Sequence, residues 1–439
     1  MLPSKDAPAS DHEGLDLLII GGGIGGMICL KYALDAGLQA LVLEREAGVG
    51  GIWRSLPAWQ EIQSSKEEWT LGDLPIAGED QASILRNIEA WVDRFDLSPH
   101  IRLGSPVRCA KPGEGGWRVE TDSGVYQSRF LLAATGGHNR PIIPPVERAN
   151  PAIAEYHSTQ LMDADLIRGK DVVVVGGGTS AWDLLDLCFE HGARQVHWVY
   201  RSHKWMRPSM GPKNAGGGNR RLAQAQMLGL PTPIVNSLLN RKLRARYLKL
   251  GLDQLLPDRD YDLDRDQSPP GRRTMLMNLA KIQQHRGEIS RIEGDEACLA
   301  DGQRLKADVI LWGTGFEMDL GYLGVEPLSR LTRPADAISR CGSLFRALDA
   351  PNLFLLAPGI LDTNVPTPWA YAHAAKSIMS HIKGRRIFGT KVAKTRAQYF
   401  NLVRFLAARD RQNYPWGRWK IRYLRLAFLW DGGKPLPLP

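Results

Sequence analysis

One pattern occurs twice in this chain and constrains it more than anything else: a short apolar strand, a run of glycines, then a helical stretch. In the first copy, residues 15–20 (LDLLII) enter Gly21-Gly22-Gly23-Ile24-Gly25-Gly26, followed by a helical pattern over 27–36 that Gly37 closes. A second strand over 38–43 ends at Glu44. In the second copy, four valines at 172–175 enter Gly176-Gly177-Gly178-Thr179-Ser180-Ala181. A helix follows to Glu190 and Gly192, then a strand over 195–200 and Arg201. Continuous apolar, β-branched strands of this kind are buried on both faces, as in a parallel sheet.

The glycine spacing has a chemical reading. In the first loop Gly21 makes the tight turn, Gly23 lets backbone approach a pyrophosphate, and Gly26 lets helix and strand close on each other. The helix N-terminus behind the loop offers free N–H groups and the positive end of its dipole. Gly21, Gly23, Gly25 and Gly26 are therefore candidate dinucleotide contacts, and Glu44 stands where a carboxylate accepts the ribose hydroxyls. Gly176, Gly178, Thr179 and Ser180 repeat the loop, but Arg201 replaces the acid. A carboxylate there repels a 2′-phosphate, whereas a guanidinium pairs with it. The second site is therefore read as NADPH-binding, with Arg201 as reader and Ser202 and Lys204 assisting. Two dinucleotide sites on one chain imply direct hydride transfer between them.

A second glycine stretch, Gly48-Val49-Gly50-Gly51-Ile52-Trp53, follows Glu44-Arg45-Glu46. From here the order of motifs resembles the class B flavin-dependent monooxygenases, the family of microsomal N- and S-oxygenases, YUCCA enzymes and Baeyer–Villiger enzymes. The resemblance runs from about residue 15 to about residue 381. It rests on Gly51 and Trp53, on Ala134-Thr135-Gly136 with Pro141 and Pro144, and on His157-Ser158. It rests also on Gly169-Lys170 through Ala181 and Asp183, on Gly313-Thr314-Gly315-Phe316, and on Asn352-Leu353-Phe354 through Gly359. It implies FAD at the first site, with Arg45, Gly51, Trp53, Thr135, Gly136, Thr314 and Gly315 joining the cofactor contacts. Two departures stand out. Pro151 and Ile153 occupy the Phe and Gly positions of the family's FxGxxxH signature. Where microsomal-type members carry Asn-x-Pro-Lys, counting back from Asp73-Leu74-Pro75 gives Gln63, Ser65 and Lys66.

The fold class expected is α/β: two doubly wound Rossmann-like domains, the NADP domain inserted in a split FAD domain. The expected boundaries are a tail over 1–14, FAD domain over 15–165, NADPH domain over 166–304 with a helical insertion over about 206–275, FAD return over 305–400, and a C-terminal helical extension over 401–439. Residues 307–312 are read as the return strand. The implied activity is NADPH- and O2-dependent oxygenation of a small organic molecule at N, S or electron-rich carbon, through an FAD C4a-hydroperoxide. Baeyer–Villiger or halogenating chemistry is the alternative within the family, and an NADPH-dependent electron-transfer reductase the alternative outside it. Gln63, Lys66 and Arg207 are the catalytic candidates, Gln63 near the flavin and Arg207 as a flavin-side cation. Trp59, Trp69 and Trp205 hint at an aromatic lining.

The rest of the chain limits other classes. Five scattered cysteines without CxxC argue against a zinc site or a redox dithiol and suit a reducing cytoplasm. No metal-ligand cluster, HExxH spacing or nucleic-acid motif is present. The net charge of +9 attracts anionic cofactors or a membrane surface. Near the C-terminus Trp416, Trp419, Tyr423, Leu426 and Trp430 share one helical stripe, with Arg418, Arg422 and Arg425 on another. This helix docks on its own domain or a second subunit of a homodimer, or lies on a membrane.

Overall fold

The computed structural model describes residues 12–63, 66, 69–208, 210, 232–262, 266, 269, 271–341, 345–358 and 367–384. Two parallel sheets organise them. The first is centred on β1 (His12–Ile20), with β2 (Ala40–Leu43) and β3 (Ile101–Arg102) on one side and β6 (Gly124–Ala133) on the other. β18 (Leu353–Leu355) pairs in parallel with the C-terminal half of β6, and the antiparallel hairpin β4 (Val107–Gly113) and β5 (Gly116–Thr121) pairs with its N-terminal half.

The second sheet is centred on β10 (Asp171–Val175). β11 (Gln195–Tyr200) and β12 (Ile282–Arg286) lie on one side, β16 (Val309–Trp312) and β9 (Ala154–His157) on the other, all parallel. Every residue of β2, β10 and β16 is buried, the cause of their near-continuous apolar sequences, with Asp171 at the start of β10 as the exception. A third sheet of β8 (Glu147–Ala149), β13 (Ile289–Glu293), β14 (Glu296–Leu299) and β15 (Arg304–Lys306) covers one face of the second. Between the two units the chain crosses as a two-stranded ribbon, β7 (Arg140–Pro141) against β17 (Phe316–Glu317), clipped by the Arg140–Glu317 ion pair.

The helices follow from local sequence. α1 (Ile24–Asp35) is apolar nearly all round because the sheet covers one side and the helix Thr367–Ile382 the other. The short α2 (Ile52–Ser55) follows the second glycine stretch. α3 (Gln81–Arg94) is amphipathic: Ile84, Ile88, Trp91 and Val92 face the core, and the Asp80 carboxylate caps it by accepting from the Ser83 N–H. α4 (Thr179–Glu190) follows the second glycine loop. No described helix is long and apolar enough to cross a membrane.

Three expectations need correction. Residues 307–312 do not return to the first sheet: β16 lies beside β10, with Val172 opposite Val309 and Val175 opposite Trp312. β9, placed by sequence in the first part of the FAD domain, is the edge strand of the same second sheet. Return to the first sheet comes only at β18. The cause is that a four-residue apolar strand carries no address; the partner whose side chains it matches decides its sheet. Thirdly, β1 begins at His12, inside the stretch read as a loose tail. Within the span expected as a helical insertion, a helix is observed at Thr232–Lys249. Residues 211–231 of that insertion, Ser65, Gly359 and the C-terminal aromatic-basic stripe lie outside the described residues.

Candidate active site

Both glycine loops sit at the C-terminal ends of their central strands, at the point where strand order reverses, and open into one cleft of about 1860 Å³. That is about twice the upper end of an ordinary small-molecule pocket, room for two dinucleotides rather than one. The cleft wall gathers Gly21, Gly23, Gly25, Glu44, Arg45, Gly51, Trp53, Gln63, Thr135 and Gly136 from the first unit. From the second it gathers Gly176, Gly178, Thr179, Ser180, Arg201, Ser202, Lys204 and Arg207, with Thr314 and Gly315 where the chain leaves β16 for the crossing.

At the first loop, Gly21 has φ +110°, and a Cβ there would stand 2.6 Å from the Ala134 carbonyl oxygen. Gly26 is not part of the cleft wall; a Cβ on it would lie 2.0 Å from the Gly21 oxygen, so its role is close packing. The second glycine stretch lies directly on the first: Gly50 N–H donates to Gly22 O at 2.9 Å, and a Cβ on Gly51, φ +58°, would meet Gly23 Cα at 3.0 Å. Gly22 and Gly50 were not singled out from sequence. The buried Glu44 carboxylate accepts from Gly22 N–H at 2.5 Å and from Glu46 N–H at 2.8 Å. A carboxylate offers about four lone-pair directions, so two remain for ribose hydroxyls.

The second loop repeats this construction. Gly176 has φ +133°, and a Cβ there would meet Gly313 O at 2.3 Å. The strand-end segment folds back by backbone: Lys204 N–H donates to Gly177 O at 3.1 Å. Gly178 faces open space. Arg201 and Lys204 are exposed on the cleft wall, and no carboxylate pairs with either among the described residues. α1 and α4 both begin on a glycine with no side-chain cap and no acid in the first turn. Two sets of unsatisfied N–H donors thus face the cleft, the arrangement that holds a phosphate.

The catalytic candidates fare unequally. Gln63 is half-buried on the cleft wall. Arg207 lines it too, its backbone held between Pro269 O (2.7 Å) and Gly271 N–H (2.8 Å). Lys66 does not reach the cleft: its Nζ donates to Ala77 O at 3.2 Å and its N–H to the Glu79 carboxylate. The count that placed Lys66 took loop spacing as position, but this loop folds onto the segment before α3. Trp53 and Trp69 meet edge to face at 5.5 Å, both on the cleft wall. Trp205 is buried in the second core, its Nε1–H donating to Arg259 O.

At the crossing, Phe316 is wedged edge to face between His138 (5.2 Å) and His157 (5.0 Å). His157 is buried; its Nε2–H donates to Gly315 O at 3.0 Å, and its Nδ1 accepts from Thr159 N–H at 3.3 Å. Burial holds both imidazoles below the usual histidine range, opposed at His157 by the Gly315 bond. Neutral His157 therefore ties β9 to the Gly313–Phe316 turn. Sequence placed His157 by motif but gave no sign of Phe316 between two histidines. The buried Arg272, whose Nε–H donates to the Asp183 carboxylate of α4, was also missed; it lies in a Pro-Gly-rich stretch without periodicity.

The family described as pyridine nucleotide-disulphide oxidoreductase matches residues 18–215. Cys29, Cys109 and Cys188 lie within that span and all three are free; Cys29 and Cys188 are buried, and desolvation pushes Cys29 up to about 12 and Cys188 up as well. Such thiols are inert packing groups, not a redox pair. Flavin-containing monooxygenase 5 of Rattus norvegicus is 24% identical over 346 residues, 70% of this chain and 63% of that protein. The chain thus spans just under two thirds of this relative's length. Among solved structures, OTEMO in complex with FAD and NADP superposes with TM-score 0.66 at 18% identity, covering 84% of this chain and 86% of that one. An open structure of cyclohexanone monooxygenase gives 0.65 at 16%, covering 96% and 98%. The chain is similar in sequence to flavin-containing monooxygenases and similar in fold to these two solved enzymes. Its α/β class, with two dinucleotide-type sheets, is the fold of those structures, and of the motifs on which the resemblance rested, Gly51, Trp53, Thr135-Gly136, Pro144, Ser158, the second glycine loop, Asp183 and Gly313–Phe316 line the cleft.

Proposed function

We propose that the chain is an FAD-containing, NADPH- and O2-dependent monooxygenase acting on a small organic molecule. The observation that carries this is the cleft onto which two uncapped helix N-termini open, one beside an acid, the other beside Arg201, which no carboxylate pairs among the described residues. FAD is assigned to the first unit, its pyrophosphate against Gly21, Gly23 and Gly25, its ribose on Glu44, and its remainder along Gly51, Trp53, Thr135 and Gly136. NADPH is assigned to the second, against Gly176, Gly178, Thr179 and Ser180, its 2′-phosphate on Arg201 with Ser202 and Lys204. When bound, FAD supplies hydride acceptance and oxygen activation, chemistry that no side chain provides.

The residues supply the rest. Glycine loops and helix N-termini fix the phosphates, leaving the reacting rings to meet where the walls converge. Trp53 and Trp69 keep water from that region. Gln63 offers an amide donor and acceptor at the flavin side. Arg207 offers a cation that stabilises developing negative charge on oxygen. A second reading within the family, oxygen insertion into a ketone, rests on Arg207 and on the fold likeness to Baeyer–Villiger enzymes.

The test is direct. Purified protein should bleach its flavin with NADPH under anaerobic conditions, much faster than with NADH. With isotopically labelled dioxygen, one labelled oxygen should then enter an added amine, sulfide or ketone. Bleaching without oxygen incorporation into any of these, with electrons passing instead to a quinone or ferredoxin, would establish the reductase alternative. Which substrate is labelled separates heteroatom oxygenation from ketone oxidation.

A further inference from the structure

The segment carrying Gln63 is strapped to the first unit. Gln60 N–H donates to Pro57 O, Ile62 N–H to Glu79 O, and Gln81 N–H to Gln60 O, each at 3.0 Å. Glu61 and Asp80 form an isolated bridge, and Ile62 is buried in the first core. Trp59 breaks the pattern. Its ring packs against the core of the second unit, and its Nε1–H donates to the carbonyl of Leu161 at 2.7 Å. Leu161 is wholly buried there.

That carbonyl is itself held. Leu161 follows the turn after β9, in which Gln160 N–H donates to His157 O at 2.7 Å and the Gln160 amide oxygen accepts from His157 N–H at 2.8 Å. His157 bonds in turn to Gly315. A continuous path of packed and bonded groups therefore runs from the wall beside the second glycine loop to Trp59, and from Trp59 four residues along the chain to Gln63. An indole N–H packed against apolar groups is usually hydrogen-bonded, and that of the half-buried Trp59 is. The acceptor it uses among the described residues belongs to the other unit, so rotation of the units away from each other breaks this bond.

We propose that Trp59 is a positioning residue that ties the Gln63 segment to the dinucleotide unit. Gln63 then stands at its place on the flavin side only while the two units are docked as seen here. Occupancy of the second site is thereby read at the first. This rests on the assignment of FAD to the first site and NADPH to the second.

The test uses the flavin-loaded full chain and the flavin absorption spectrum. NADP⁺ titrated into the wild type is expected to perturb the visible flavin band, and Gln63→Ala to remove most of that perturbation. Trp59→Phe keeps the ring and deletes the N–H. It should keep flavin content and NADP⁺ affinity within about twofold while reducing the perturbation. It should also raise the share of NADPH electrons lost as hydrogen peroxide by about 2- to 12-fold, the range for one lost hydrogen bond. Added to Gln63→Ala, it should change nothing further. Trp59→Phe with a wild-type flavin response, or an effect fully additive with Gln63→Ala, overturns the proposal. So does loss of flavin or of NADP⁺ affinity in Trp59→Phe, which marks a merely structural tryptophan. Failure of the parent reading shows earlier, in a wild type that binds no flavin or does not respond to NADP⁺, and takes the proposal with it.

Discussion

The two units are built on one plan and finished differently. In each, the first glycine of the loop packs on the carbonyl that ends the neighbouring strand, Gly21 on Ala134 and Gly176 on Gly313. In each, a Thr-Gly pair follows across the strand-order reversal, Thr135-Gly136 and Thr314-Gly315. The difference lies at the end of the second strand. Glu44 turns back and accepts two backbone N–H groups of its own unit, whereas Arg201 lines the cleft and its loop is held by the Lys204 N–H bond to Gly177 O and by the His203 ring packed on Trp198 and Tyr200. The first site also carries another glycine layer, Gly50-Gly51 on Gly22-Gly23, where the second leaves Gly178 facing open space. A closed, internally satisfied site suits a cofactor that stays; an open site with an exposed cation suits one that comes and goes.

That contrast can be broken in several places. The largest effect is expected from Arg272→Leu, which removes the buried guanidinium that donates to the Asp183 carboxylate on α4. Breaking a buried pair costs about 3–5 kcal/mol; thermal scans should show the second unit loosening while flavin release keeps its wild-type temperature. A single transition in which both move together would mean that the units do not unfold separately. Next come the glycines. Gly176→Ala places a methyl on the Gly313 carbonyl at a φ few side chains accept, and should slow NADPH-driven flavin reduction by about 10- to 100-fold with flavin retained. Gly21→Ala should instead yield protein that loses its flavin on gel filtration. Arg201→Ala should raise the NADPH KM by about 10- to 100-fold, a charged hydrogen bond's worth, and leave the NADH KM within a factor of two. Equal changes for both coenzymes would remove Arg201 as the reader of the 2′-phosphate.

The smallest effect concerns acid. Burial holds His157, His197 and His203 below the usual histidine range, His203 at about 4. Since the unfolded chain binds these protons near pH 6.5 and the folded one does not, stability is full above that pH and falls as pH drops toward the folded values. All three lie on or beside the second sheet. Melting between pH 7.5 and pH 5 should therefore lower the second unit's transition by at least roughly 2–4 °C, with less change in the first. An unchanged second transition would show that these imidazoles take up protons without cost.

How much of this was legible in sequence depended on how local the signal was. The strand–glycine–helix units announce themselves within thirty-odd residues because steric limits on φ and on backbone approach admit only glycine there. Glu44 and Arg201 were legible for the same reason: each ends a strand at a fixed distance from its loop. Sheet membership was not. Residues 309–312 read as well for one sheet as for the other, and only pairing with 172–175 decides. Lys66 was placed by counting along a loop whose path no count reveals. Trp59 to Leu161 and Arg272 to Asp183 are contacts between distant stretches, 102 and 89 residues apart. Neither end carries a pattern that names the other.

The late return of β18 has a consequence for the order in which the chain can assemble as it leaves the ribosome. All five strands of the second sheet have been made once Trp312 has emerged, whereas β6 waits for Leu353–Leu355 before its C-terminal half is paired on both sides. During that interval of synthesis the nucleotide sheet that starts first is the one that finishes last. Its open flank, Leu131 to Ala133, is an apolar strand edge of the kind that recruits chaperones or neighbouring nascent chains.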